Sequence, residues 1–269
     1  MKPYNLFIIL LIAFSMLTCE EKTYNELTGE GTLLKEIAAN GEIYFKYTYN
    51  EADFVKEEKS KYHYTEHHYN SKNQLIQSDN YWDESITSSN STVLQEAINR
   101  TEWVTPENTE MDSYITFEYN SIGQLKKTTV YNLKDNSSTY STYTYNNDKI
   151  LERTSYNDDQ QSALEAYYYD QYNNLTKKEK YVFLGDVQPK LSSSTEYFYD
   201  GENNPYFSFR ALMIPGEHTN KNNIIKQVYT IYSLTDNSVE DVQTTEYSYE
   251  YNAKGFPERR DDGFEYTYY

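Results

Sequence analysis

Few residues in this 269-residue chain have the types and spacing that chemistry needs. His63 and His67 lie four apart, on one face if the stretch is a strand, and two imidazoles sharing a face could begin a metal site. Asp158-Asp159 and Asp261-Asp262 pair carboxylates as a Ca²⁺ loop does. The plainer reading prevails in each case, because strand histidines pack against neighbours and turn aspartates bond their own backbone. No metal or cofactor is therefore expected. There is no Gly-x-Ser-x-Gly, no phosphate-binding glycine loop, no Cys–His pair and no paired-cysteine motif, so no catalytic residue is nominated and an enzyme is not expected.

Aromatic side chains remain. The chain carries 32 Tyr, 11 Phe and 2 Trp, and flat aromatic faces stack on sugar rings as readily as they pack on each other. Most of the tyrosines recur so regularly that a structural ladder is favoured over a binding surface. The candidate ligand-binding residues are the aromatics and the histidine that break the regularity: Trp82, Trp103, Tyr206, Phe207 and His218. The last three belong to an irregular stretch at residues 206–223, and long irregular connections are where binding residues gather.

The elements that must position these residues follow from one repeated unit. Its clearest copy is Phe117-Glu118-Tyr119-Asn120-Ser121-Ile122-Gly123-Gln124-Leu125. Seven copies align on Asn50, Asn70, Asn120, Asn146, Asp170, Asp200 and Asn252, each preceded by an aromatic or His, any residue, and Tyr. Aromatics two apart share a strand face. Three residues after the Asn/Asp come Asp53, Asn73, Gly123, Asn173, Asn203 and Gly255, types that tolerate a left-handed backbone. Five residues after it, Val55, Leu75, Leu125 or Leu175 begins a new strand, whereas Pro205 and Pro257 make the last two returns edge-like or irregular. The fourth copy is one residue shorter.

Two intervals between key tyrosines, Tyr69 to Tyr119 and Tyr199 to Tyr251, are 50 and 52 residues against 20 to 30 elsewhere; each is expected to hold one more, degenerate copy. Asp135-Asn136-Ser137 and Asp236-Asn237-Ser238 occupy equivalent places in a second internal echo, where hairpins reverse. Asn40-Gly41 is a hairpin signal, Tyr81-Trp82 is expected to begin a strand, and residues 92–98 fit a short capped helix. The expected fold class is all-β: an antiparallel meander of repeated hairpins forming one extended, twisted or partly rolled sheet over residues 31–269.

The first residues read as an address. Lys2, an apolar run over residues 6–14 and the chain's single cysteine, Cys19, resemble a bacterial lipoprotein signal, although Thr18 departs from the usual small residue before the cysteine. The resemblance implies cleavage after residue 18, lipidation of Cys19, a linker at residues 19–30 and a membrane anchor. Glu20-Glu21 resembles the export tag of surface lipoproteins in Bacteroidetes, so the expected place is the outer membrane, on its periplasmic side or the cell surface. A net charge of −18 repels nucleic acid, which is not an expected partner.

The Tyr-x-Tyr-[Asn/Asp]-x-x-[Gly/Asn]-x-[Leu] units resemble the tyrosine-aspartate repeats of Rhs-type proteins. The order of Tyr199-Asp200, Asn203-Asn204-Pro205-Tyr206, Asn222-Asn223-Ile224 and Tyr251-Asn252 is similar to that of uncharacterised envelope lipoproteins of Bacteroidetes. This implies an antiparallel β array without an established activity. Asn replaces Asp in five of the seven units, and the toxin-enclosing role of Rhs shells is not implied for so short an array. The leading expectation is a non-enzymatic envelope protein binding a glycan or another envelope protein. The alternatives are a structural spacer without a ligand and a hydrolase with its site in residues 206–223.

Overall fold

The computed structural model describes residues 32–83, 102–185, 188–212, 215 and 219–269. Cys19, His218 and the helix expected at residues 92–98 lie outside the described residues.

Seventeen strands make one antiparallel sheet. They are β1 (Leu34–Ala39), β2 (Glu42–Tyr49), β3 (Val55–Ser60), β4 (His63–Tyr69), β5 (Leu75–Trp82), β6 (Met111–Tyr119), β7 (Leu125–Asn132), β8 (Ser137–Asn146) and β9 (Lys149–Asn157). Then follow β10 (Gln160–Tyr169), β11 (Leu175–Val182), β12 (Lys190–Asn203), β13 (Asn222–Tyr232), β14 (Val239–Glu246), β15 (Tyr249–Tyr251), β16 (Pro257–Arg260) and β17 (Phe264–Tyr268). From β1 to β14 each strand pairs with the next, while β15, β16 and β17 pair in turn and bring β17 against β1. The sheet is not closed into a barrel. At its seam Tyr247 N still donates to Ile225 O, at 2.8 Å, and the next residue already accepts from Asp261 N, at 3.0 Å, so the chain leaves β13 for β16.

The repeat has a stereochemical reason at each position. The Asn/Asp Oδ1 accepts from the backbone N–H groups two and four residues on: Ile122 and Gln124 donate to Asn120 at 3.1 and 2.9 Å, and Tyr172 and Asn174 donate to Asp170 at 2.8 and 2.9 Å. Only an acceptor oxygen is required there, which is why Asn and Asp interchange. Asp53, Asn73, Gly123, Asn173 and Gly255 all have positive φ. Val55, Leu75, Leu125 and Leu175 are at most 1% exposed, each contributing about 1.5–3 kcal/mol of burial.

The key tyrosine clips neighbouring units together. Its hydroxyl donates to the carbonyl of the first or second residue of the preceding pair of strands: Tyr49 to Leu34, Tyr69 to Val55, Tyr119 to Leu75, Tyr145 to Leu125, Tyr169 to Ile150 and Tyr199 to Leu175, at 2.5 to 3.0 Å. At each of these tyrosines from Tyr49 to Tyr199 the ladder slips by a residue into a bulge. Bulges increase local twist and bend, and their repetition along one end curls the sheet. Tyr119→Phe removes one clip and leaves a fully buried carbonyl short of a donor. It is expected to cost about 1–2 kcal/mol, read as a lower urea midpoint with an unchanged slope.

Several expectations change. Asn203 has no left-handed turn: β12 runs on through it to pair with Asn222, and Asp200 Oδ1 accepts from Glu202 N and, in place of a fourth-residue donor, from Asn223 N. Among the described residues, Tyr69 to Tyr119 contains β5 and β6, and residues 84–101, where the further copy is expected, lie outside them; Tyr199 to Tyr251 contains a 3-10 helix at Pro205–Leu212, β13 and the bent β14–β15 stretch in place of a further copy. Trp82 ends β5 instead of opening a strand. The turns at Asn40-Gly41 and Asp158-Asp159 have positive φ at both residues, and Asn136 and Asn237 match at φ 54° and 59°.

Candidate functional site

Counting back in twos from the key tyrosines gives the face of the sheet that the 3-10 helix fills. Phe209 is 1% exposed there, edge-on to Tyr47, Tyr206 and Tyr49 with ring centres 4.9, 5.7 and 6.5 Å away. Together with Leu34, Ile37, Val55, Leu75, Leu212 and Tyr266 it plugs the interior. Beyond the plug lies a cavity of about 550 Å³, walled by β3 to β10 together with Leu212 and Pro215.

The wall of that cavity mixes apolar side chains with polar ones that mostly satisfy each other. His67 Nδ1 shares a hydrogen bond with Ser78 Oγ, at 2.8 Å, and His67 Nε2 one with Glu58 Oε1, at 2.9 Å. Thr65 Oγ1 is 2.7 Å from His63 Nε2 and donates to Asn80 Oδ1 at 2.9 Å. Burial holds the His63 imidazole below its ordinary pKa against the pull of Glu58. Across the cavity Arg153 pairs with Glu165 at 2.8 Å, and the Tyr167 hydroxyl donates to the same carboxylate oxygen at 2.7 Å. Thr128 and Tyr143 share a hydrogen bond at 2.9 Å. Thr139, Ser141, Ser155, the rings of Phe117 and Tyr156 and the side chains of Ile115 and Val130 also line it.

Ser78, His67 and Glu58 form a hydrogen-bonded chain with the order of nucleophile, base and acid. Its setting does not suit acyl transfer. Ser78 is 3% exposed, and β5 is paired on both sides of it, with His67 on β4 and Ile115 on β6. The neighbouring N–H groups therefore belong to ladders and leave no oxyanion pocket. The chain satisfies a buried histidine.

The aromatics singled out from the sequence do not converge. Trp82, 46% exposed, is on the inner face at the end away from the plug, against His63 at 4.7 Å and Tyr62 at 5.8 Å. Trp103 is on the outer face, where Lys46 Nζ sits 4.8 Å from its ring centre. Phe207 is buried, and Tyr206 packs on Phe209 and also lines a second pocket of about 270 Å³ with Asn204, Asn220, Asn222 and Asn223. Among its described residues, the irregular stretch lends the cavity Leu212 and Pro215. Three of the four candidate Ca²⁺ ligands are engaged otherwise: Asp159 accepts from the Tyr140 hydroxyl, Asp261 from Ser248, and Asp262 takes Arg260 through two bonds of 2.8 Å. Among the described residues no three His, Cys, Asp or Glu side chains gather as a metal site.

Reasoning from motifs missed Glu58, Ser78, Thr128, Tyr143, Arg153 and Glu165. The signal that finds them is the alternation itself, since Tyr143 and Ser141 precede Tyr145 by two and four, and His67 and Thr65 precede Tyr69 likewise.

The chain matches no family profile and no curated protein in sequence. Among solved structures, a porin-like protein from Bacteroides vulgatus is 12% identical with a TM-score of 0.51, over 88% of this chain and 99% of that one. A porin-like protein from Bacteroides uniformis is 13% identical with a TM-score of 0.41, over 90% and 100%. The Tc holotoxin pore of Photorhabdus luminescens is 10% identical with a TM-score of 0.16, over 76% of this chain and 12% of that one. The first of these likenesses shows a shared fold.

Proposed function

We propose that this chain is a non-enzymatic, lipid-anchored protein of the bacterial cell envelope that binds a glycan in the interior of its curled sheet. The cavity carries the reading. Its volume suits a small saccharide, and its wall sets hydroxyls and the Asn80 amide beside aromatic rings, the chemistry that neutral polyhydroxylated ligands need. The resemblance of residues 1–19 to a lipoprotein signal and the fold shared with a porin-like Bacteroides protein support the envelope. Transport through the membrane is not carried over. The outer face bears Glu57, Lys59, Lys177 and Glu179, in pairs at 3.4 and 2.6 Å, and a lipid-facing strand excludes such charges. An envelope protein as the partner and a ligand-free spacer remain the competing outcomes of the test.

Residues 20–269 applied to a glycan array are expected to retain at least one class of glycan. Thr139→Trp, which fills the cavity from an exposed wall position, is expected to weaken that binding at least tenfold in titration calorimetry. Retention of no glycan, or full binding by the filled variant, overturns the reading. The anchor is tested apart from the ligand: Cys19→Ser is expected to move the full chain from the membrane fraction to the soluble one.

A further inference from the structure

Among the described residues, the strand beside the seam has an unused edge. All eight residues of β14 are exposed, Val239 by 57% and Val242 by 53%, and within the described residues β14 pairs with β13 alone. Its other edge presents backbone N–H and C=O groups to whatever can pair with them. Val239–Glu246 contains no proline and no lysine, two of the usual devices that keep an edge from pairing; its blunting rests on Glu240, Asp241 and Glu246 and on the bulge at Glu240.

We propose that this edge pairs with the same edge of a second copy, forming a two-fold dimer through an antiparallel β14–β14 ladder. A second copy can meet this edge without opposing its acids. A two-fold axis normal to the sheet keeps side chains on their own faces, so each register is centred on one residue set opposite itself. Centring on Glu240 or Asp241 puts an acid against its own copy, and centring on Gln243 puts Glu240 against Glu246. Like charges directly opposite destabilise a ladder. Centring on Val242 sets Glu240 against Thr244, Asp241 against Gln243 and Glu246 against Ser238. Centring on Thr244 sets Glu246 against Val242 and Asp241 against Tyr247. These two registers are free of opposed acids. Glu246 is moreover neutralised by Lys226 of its own chain at 2.8 Å, and Asp241 accepts from Gln243 at 2.8 Å.

The test uses the full chain in cells. Val242→Cys or Thr244→Cys is expected to yield a disulfide-linked dimer on mild oxidation, whereas the unsubstituted chain and Ile122→Cys, whose position is 77% exposed at a turn, are not. Sedimentation of the purified chain is expected to show dimer that strengthens with added salt, because each copy carries −18. Val242→Glu/Thr244→Glu, at exposed positions whose unchanged circular dichroism verifies the fold, is expected to weaken the dimer at least tenfold. A parent chain that stays monomeric at every salt concentration overturns the proposal. So does crosslinking of the Val242→Cys variant to a different protein in place of a second copy, or a dimer the double variant leaves untouched.

Discussion

Phe209→Ala is expected to destabilise the protein by about 3–5 kcal/mol, the cost of emptying a buried aromatic site whose walls cannot collapse. The walls here are strands held in register by ladders on both sides, and the ring touches Tyr47, Tyr49 and Tyr206 at once. A domain's whole stability is about 5–15 kcal/mol, so the variant stands near the limit of folding. Urea unfolding followed by tyrosine ellipticity measures the loss. Tyr168→Ala, at an outer-face position 47% exposed, provides the contrast and is expected to cost well under 1 kcal/mol. An unchanged midpoint for Phe209→Ala would mean that the 3-10 helix does not plug the interior.

Alkali is expected to unfold the protein cooperatively between pH 10 and pH 12. Burial pushes the Tyr119, Tyr145 and Tyr249 phenols up to about 12 from an ordinary value of 10.0, and Tyr69, Tyr169 and Tyr199 rise further for the same reason. A phenol is neutral when protonated, so a raised value means the folded state keeps the proton that the unfolded chain gives up. Stability is therefore complete below pH 10 and falls as pH climbs toward the folded values. Each pH unit separating the two titrations is about 1.4 kcal/mol before screening by the solvent these half-buried rings still meet. Phenolate absorbance is expected to lag and then jump together with the loss of ellipticity. A smooth titration centred on pH 10, with ellipticity retained, would show that the hydroxyl clips are not closed.

These two tests address different levels of legibility. The clips can be anticipated as a column of tyrosines on one face, because alternation with period two is local and the seven copies repeat it. What the hydroxyls do cannot, since Tyr119 and Leu75 are joined across 44 residues. The positive-φ column holds at Asp53, Asn73, Gly123, Asn173 and Gly255 and fails at Asn203, where Asn223 replaces the local donor. That substitution depends on where the excursion returns. Residues 206–223 read as a binding stretch; of them Phe207 and Phe209 are buried, since a curled sheet offers an interior that apolar side chains fill, while Tyr206, Asn220, Asn222 and Asn223 line a separate pocket.

Local chemistry along the chain is enough to define the unit: an Asx turn, a left-handed third residue, a buried aliphatic on the fifth, and an antiparallel partner. Each is fixed by contacts within a few residues, and the all-β meander follows from repeating them. It takes the folded whole to establish that the sheet curls yet stays open between β14 and β15, that Ser208 meets Tyr49 across 159 residues, and that Arg153, on the cavity wall, finds Glu165. Those outcomes depend on curvature accumulated bulge by bulge over many strands, a sum that no single stretch of chain encodes.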